Sequence, residues 1–491
     1  MCGIVAIFTA VDGAVPAIDC APIKARGPDG FAQFECSPRC VLSAAVLHMH
    51  GSVLQPIVTP TFVLAYNGEM YMEHHDDAAS DTLVLANRLS DLRTLDDLGS
   101  VIDGVELEGA LCVYCAKTQS LYFARDAIGR RSLVMLLDPA RRFLIVASSA
   151  VCDAPAGAQW TEVDVAAVFK ASVVAGQVQI ACLERLGATR LRGALAGMDF
   201  SHALDSAVRA RLAPNTLDPS SDVGILFSGG VDCVALAALA HGCVGSGRRI
   251  HLLNASFYAH DQDQANATAD RINARDAYEE LDDVLGAQTF ALVCVDVSAD
   301  EVARHRKRLI ALMAPKATVM DFNLACVLYF AARAAVALGL RCLLSGAGAD
   351  ELLGGVRLLN VFCYEFTPHS QYGRHGTALQ RGGTDAWRAE LDMDMARLWT
   401  RNLGRDDRVT SAHGVELRLP FLDARVAQAV RALPPRLEGG KNKAVLRGMV
   451  ATLGLTRAAA RSKKAAQFGS GIAKLTGGNG TDDVATLRME R

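Results

Sequence analysis

The apolar run Val223-Gly224-Ile225-Leu226-Phe227 leads directly into Ser228-Gly229-Gly230-Val231-Asp232, then into Val234-Ala235-Leu236-Ala237-Ala238-Leu239-Ala240. A short β-rich run, a turn with two glycines and a good helix former predict a strand, a tight turn and a helix N-terminus. That combination makes an anion site, because unsatisfied backbone N–H groups and the positive end of the helix dipole face one pocket. Glycine lets the backbone approach a phosphate with no Cβ in the way. Asp232 repels phosphate, so its place in the turn points to a magnesium ion that takes carboxylate and phosphate oxygens together. The spelling excludes the Walker loop, which ends in Gly-Lys-Ser/Thr.

The 491 residues are enough for two or three cores. With 51% hydrophobic residues and a formal net charge of −3, the chain has no basic excess for nucleic acid. No apolar run reaches the ~18 residues of a membrane span; Leu324–Leu340 comes nearest and holds Arg333. The start, Met1-Cys2-Gly3-Ile4-Val5-Ala6-Ile7-Phe8, lacks the basic region of an export signal. The expectation is a cytoplasmic protein with neither nucleic acid nor membrane as partner. The 14 cysteines are scattered through apolar runs, which suits buried reduced thiols. Cys112 and Cys115 form a CxxC, but inside a strand residues three apart point to opposite faces. A redox or zinc role there competes with a plain strand.

Residues 1–185 read as short strands with turn punctuation, an antiparallel layered domain. Phe62–Tyr66, Gly109–Ala116, Leu121–Ala124 and Phe143–Ala147 are expected strands, and Asp81–Leu89 an expected helix capped by Ser80 or Asp81. From about residue 190 to 475, helices alternate with apolar strands at Val223–Phe227, Ile250–Ala255, Phe290–Val295 and Cys342–Leu344, with a helix over Leu324–Leu340. That alternation predicts a doubly wound parallel sheet. The polar segment His260–Ala277 reads as a mobile loop, and residues 476–491 as a frayed tail.

Cys2 stands where loss of Met1 would expose its α-amino group. An amine with a pKa near ~7.7–8.0 can take the thiol's proton at neutral pH, so such a cysteine carries its own base. Arg26-Gly27-Pro28-Asp29-Gly30, Tyr66-Asn67-Gly68-Glu69 and Ser80-Asp81 follow in order. The Asn67 side chain and the Gly68 backbone can donate two N–H groups to a tetrahedral oxyanion, although Asn-Gly is also a good hairpin turn. Asp81 can pair with a substrate ammonium. His74-His75-Asp76-Asp77 reads as a solvated loop against a metal site.

Taken together, these motifs resemble the glutamine-dependent asparagine synthetases, and the resemblance spans nearly the whole chain. Ser345-Gly346-Ala347-Gly348-Ala349-Asp350-Glu351 and His413-Gly414-Val415-Glu416-Leu417-Arg418-Leu419-Pro420-Phe421-Leu422-Asp423 extend it. Val46-Leu47-His48, Gly129-Arg130-Arg131-Ser132, the run from Arg401 to Val409 and Gln467-Phe468-Gly469-Ser470 look closer to the asparagine synthetase domain-containing protein 1 branch. The resemblance implies an α/β two-domain chain: an N-terminal-nucleophile hydrolase αββα sandwich followed by an ATP-pyrophosphatase domain. It implies Cys2 as nucleophile and His50, Asn67, Glu69 and Asp81 around glutamine. It also implies Leu226, Ser228, Gly229, Gly230, Cys233, Ser345, Gly346 and Lys443 around ATP, with Asp232 and Asp350 holding Mg2+. Glutamine, ATP and aspartate would be the substrates, ammonia would cross between the two sites, and a homodimer is the candidate assembly.

Several positions depart from the family pattern. His50 replaces the arginine that clasps the glutamine α-carboxylate, and an imidazole is mostly neutral at pH 7. Cys233 replaces a serine, and a thiol donates hydrogen bonds more weakly than a hydroxyl. Ala347 replaces a glutamate and Ala465 a lysine, with Lys463 and Lys464 just upstream. The aspartate pocket looks replaced around Ala325-Cys326-Val327. Three readings follow: an asparagine synthetase, an amide ligase for another carboxylate, or a scaffold that keeps the fold without synthesis.

Overall fold

The computed structural model describes every residue except 1, 50, 72–79, 93, 105–106, 186–198, 214–215, 246, 287, 355–370, 434–442, 462–465, 478–480 and 485–491. Seventeen strands, numbered in chain order, form three sheets among these residues. The first holds β1 (Gly3–Thr9), β2 (Gly30–Ser37), β3 (Cys40–Val46), β8 (Val134–Leu137), β9 (Phe143–Ala147) and β10 (Thr161–Glu162), ordered β10-β8-β9-β1-β3-β2. The second holds β4 (Ile57–Val58), β5 (Phe62–Met70), β6 (Leu107–Cys115), β7 (Ser120–Arg125), β11 (Ala167–Val174) and β12 (Gln177–Glu184), ordered β12-β11-β7-β6-β5-β4.

Period-two alternation explains how these two antiparallel sheets stack. Ile4, Ala6 and Phe8 of β1 meet Val63, Ala65, Ala110, Cys112 and Phe123 of the second sheet in one core. Val5 and Ile7 point the other way, onto Ile23 of the short helix Ala21–Lys24. On the far side, Leu64 and Tyr66 of β5 pack on Leu85 and Leu89 of the helix Asp81–Ser90. Helix, sheet, sheet and helix layers are therefore the αββα sandwich. Cys112 and Cys115 fall in different cores, as the strand reading of the CxxC requires.

The third sheet is parallel throughout: β13 (Val223–Leu226), β14 (Ile250–Tyr258), β15 (Phe290–Ser298), β16 (Cys342–Leu344) and β17 (Glu416–Arg418), ordered β15-β14-β13-β16-β17. Cys342 and Leu344 face the helices Phe200–Leu212 and Val231–His241, while Leu343 faces Ala331, Ala332 and Ala335 of the helix Val319–Ala337. Helices cover both faces, which is the doubly wound arrangement. Val319–Ala337 is long and apolar enough to cross a membrane by length and composition, but its apolar residues fill a protein core.

Two expectations need correction. His260–Ala277 is not a loop: it holds the helix Asp263–Asn266 and the first half of the helix Ala269–Leu285. Its low hydrophobicity hid the stripe Ala274, Ala277 and Leu281, which buries completely. Nor is all of 476–491 frayed. Val484 is buried, its N–H donates to Ala317 O at 2.7 Å, and Arg306 donates to its carbonyl at 2.7 Å.

Candidate functional site

Cys2 is buried immediately before β1, and β5 passes beside it. Its backbone nitrogen donates to Asn67 Oδ1 at 2.9 Å. With that oxygen engaged, the Asn67 Nδ2 group faces away, and it is a buried donor with no partner among the described residues. An unsatisfied buried N–H is costly unless something else takes it. Gly68 is confined by its surroundings, because a Cβ there would lie 2.3 Å from Glu108 O and 2.5 Å from Tyr66 Oη. Asp81 sits at the first turn of its helix. Its Oδ1 accepts from Thr82 N at 2.6 Å, whereas Oδ2 is buried and without a partner among the described residues. The structure thus brings Cys2, Asn67, Gly68, Glu69 and Asp81 together and leaves one orphan donor and one orphan carboxylate oxygen.

Burial pushes the Cys2 thiol above its ordinary range. Burial also raises Asp81, against the opposing hydrogen bond from Thr82 N–H. Glu69 is pushed well up by burial and by the negative charges of Asp81 and Glu416. A cation among these carboxylates would relieve all of them at once. His50, His74 to Asp77, Lys463, Lys464 and Ala465 lie outside the described residues. A cavity of about 470 Å³, lined by Asp29, His48, Met49, Gly51, Leu217 and Arg341, opens between the domains.

Gln55, which the sequence did not single out, and Glu416 and Arg418, quoted there only as part of a motif with no role given, complete this end. Gln55 Nε2 lies 3.6 Å from Cys2 Sγ. Glu416 and Arg418 come from β17 of the parallel sheet, with Arg418 2.7 Å from Glu416 and 3.7 Å from Glu69. Burial works to raise Glu416, but the positive charges around it, Arg418 and Arg131 among them, hold its carboxyl far below the carboxylate range. Ser345 N donates to Arg418 O at 2.9 Å, so one residue touches both halves of the chain. Arg26 reaches Cys2 O at 3.2 Å and Asp407 at 2.7 Å, a buried pair across the same boundary.

At the other end, β13 and β16 are neighbours whose chains continue on opposite sides of the sheet, which makes the crevice at their carboxyl ends the switch point where ligands bind in such folds. Leu226 ends β13, and Ser228, Gly229 and Gly230 turn the chain into the helix Val231–His241. Gly229 has φ +71°, and a Cβ there would lie 2.2 Å from Asn273 O, so only glycine fits. Cys233 Sγ donates to Gly230 O at 3.1 Å and lies 3.9 Å from Ser228 Oγ. Burial and Asp232 raise that thiol to about 11, which keeps it neutral. Ser345 and Gly346 leave β16, and a Cβ on Gly346 would sit 2.9 Å from Asp232 Cβ, which sets the two loops in contact. Lys443 Nζ is 2.6 Å from both Asp232 oxygens and 2.6 Å from Asp350. Among the described residues no cluster of three or more His, Cys, Asp or Glu side chains could hold a metal. The Asp232 and Asp350 carboxylates nevertheless converge on one cation, which fits an ion whose other ligands are phosphate oxygens.

The expected aspartate-pocket segment lies in a helix. Ala325 and Cys326 lie within the helix Val319–Ala337 and are wholly buried in its core. Ala347 packs against the apolar cluster of Leu343 and Leu417.

Residues 199–484 match the family model of asparagine synthase, well over half of the chain. The chain belongs to the asparagine synthase family. The match begins at Asp199, the cap of the helix Phe200–Leu212, and ends at the docked Val484. Among curated proteins it is similar to asparagine synthetase domain-containing protein 1 of Bos taurus, 27% identical over 93% of this chain and 92% of that one. It is also similar to asparagine synthetase domain-containing protein YML096W of Saccharomyces cerevisiae, 29% identical over 85% and 81%. A third is asparagine synthetase domain-containing protein CG17486 of Drosophila melanogaster, 26% identical over 94% and 95%.

Proposed function

We propose that this asparagine synthase family member is a glutamine-hydrolysing, ATP-dependent amide ligase, with aspartate as the acceptor. The observation that carries the reading is one continuous structure holding two sites. Cys2 stands beside an N–H donor and a carboxylate oxygen that have no partner among the described residues, and a glycine turn stands beside two converging aspartates, with Arg418 and Ser345 hydrogen-bonded between them.

With Met1 removed, the Cys2 α-amine takes the thiol proton and the sulfur attacks the glutamine side-chain amide carbon. Asn67 Nδ2 and Gly68 N–H receive the oxyanion, while Asp81 and Glu69 hold the substrate ammonium. The amine returns the proton to the leaving nitrogen, ammonia departs, and water hydrolyses the thioester to glutamate. In the synthase half, the Gly229–Gly230 turn and the helix behind it hold phosphates, and Lys443 faces them. Mg2+ held by Asp232 and Asp350 would neutralise phosphate charge when bound. The acceptor carboxylate attacks the α-phosphorus and releases pyrophosphate; ammonia then attacks the acyl carbon and AMP leaves. An enclosed path between the halves would keep ammonia from water, where it would be protonated and lost.

A second reading, ligation to a less polar carboxylate, is favoured by Ala347 and by the burial of Ala325 and Cys326 in an apolar core. The two readings separate in one experiment. Purified protein is given glutamine labelled with 15N in its amide, ATP·Mg and aspartate, and the products are read by mass spectrometry. Labelled asparagine with AMP supports the first reading. AMP formed only with other carboxylates supports the second, and no AMP with any acceptor defeats both. Cys2→Ala should abolish labelled product but allow synthesis from added ammonium, whereas Asp232→Ala should abolish both.

A further inference from the structure

The environment of Cys2 holds a group that neither the nucleophile nor the oxyanion donors account for. Gln55 is buried, and every polar atom of its side chain is engaged. Its Oε1 accepts from Tyr66 N at 2.7 Å. Tyr66 N–H can only donate, so the amide orientation follows from chemistry: the oxygen faces Tyr66 and the NH2 group faces the opposite side. On that side Nε2 lies 3.6 Å from Cys2 Sγ and 3.4 Å from Thr82 Oγ1. The Thr82 hydroxyl then has its proton free for Asp81 Oδ1, 3.3 Å away, which also accepts from Thr82 N. All donors in this chain point the same way, from Tyr66 N–H through Gln55 and Thr82 to Asp81.

We propose that Gln55 is a positioning residue of the glutaminase: its amide N–H holds the Cys2 sulfur, and through Thr82 it ties that sulfur to the Asp81 carboxylate. A sulfur in a dry site needs donors to become the attacking anion, because burial alone favours the neutral thiol. Gln55 supplies one, and the Leu47 backbone N–H supplies another. Gln55 also lets the two events of the first half-reaction communicate. An ammonium arriving at Asp81 draws charge from Oδ1, so the Thr82 hydroxyl donates to it less strongly and in turn accepts less strongly from the same NH2 group that holds the sulfur. The inference rests on the glutaminase reading for its purpose, but the contact itself is tested without turnover.

The test is the pH dependence of iodoacetamide alkylation at Cys2 in the full chain, followed by mass spectrometry of the N-terminal peptide. Gln55→Leu should raise the apparent pKa of the sulfur by about one unit, so alkylation at pH 7 slows on the order of tenfold. Gln55→Glu keeps the size and the acceptor for Tyr66 N–H but sets an acceptor against the sulfur, and should slow it at least as much. Should Gln55→Leu fail to fold, Gln55→Glu carries the test alone. A folded variant whose profile superimposes on the wild type overturns the proposal. Wild-type protein that alkylates in this Gln55-dependent way yet hydrolyses no glutamine overturns the glutaminase reading instead.

Discussion

The sharpest chemical statement rests on one atom, Asn67 Nδ2. Its partner oxygen is taken by Cys2 N, and the donor is buried without a partner among the described residues, which fits the oxyanion role proposed above. Asn67→Ala should lower kcat for glutamate release by ~10²–10³ while leaving the melting temperature near the wild type. A loss of less than tenfold would show that the oxyanion forms elsewhere. Cys2, Asn67 and Asp81 could be placed in one candidate site from the sequence because their order along the chain is specific. Gln55 could not, since a lone glutamine before a proline carries no pattern; only the fold shows its amide against the sulfur. Cys233 changes less than its spelling suggests: its thiol makes the turn's own hydrogen bond to Gly230 O.

At the scale of elements, the strand–turn–helix of residues 223–241 was the most legible part, because Gly229 answers to two independent demands. It has a positive φ and meets the backbone of the helix Ala269–Leu285. Gly229→Ala should cost about 1–3 kcal/mol from backbone strain alone, and more from the clash, with ATP binding lost; calorimetry and a nucleotide-binding assay read both. An unchanged melting temperature would contradict the geometry. The Lys443 bridge could not be read, since the sequence places it 211 residues from Asp232. Lys443→Met leaves two carboxylates facing each other, a loss of about 3 kcal/mol. Mg2+ alone should then raise the variant's melting temperature more than the wild type's, and an unmoved variant would show that the pair is not a cation site. Residues 269–277 of the helix Ala269–Leu285 read as loop because their composition is polar, and the buried face itself holds Asp270 and Arg271 beside Ala274 and Ala277.

On the scale of the whole molecule, the two halves share cores and charges. Leu47 and Met49 of the first domain are buried in the main core of the second. Arg26, Arg130 and Arg131 of the first reach Asp407, Leu422 O and Glu416 of the second. The change from short strands to alternating helices and strands near residue 190 marks the domain boundary, and no sequence pattern shows ion pairs between residues hundreds of positions apart. His413, next to this boundary, gives a pH test. Burial, then Arg308 and Arg333, hold it down to about 3. The unfolded chain, with an ordinary histidine near ~6.5, therefore takes a proton that the folded chain refuses. Stability is complete above that value and falls by about 1.4 kcal/mol per pH unit as pH drops towards the folded value. Urea unfolding between pH 6 and 4 should show His413→Asn losing less stability per unit than the wild type by about that amount, and parallel slopes would contradict it. The central claim, that one chain couples the Cys2 site to the Asp232 site, is tested most directly by the ratio of glutamate to AMP in a single time course with glutamine, acceptor and ATP·Mg. The account predicts that the two appear in step and that Cys2→Ala stops both when glutamine is the sole nitrogen source. Glutamate released without AMP, whatever acceptor is supplied, would contradict it.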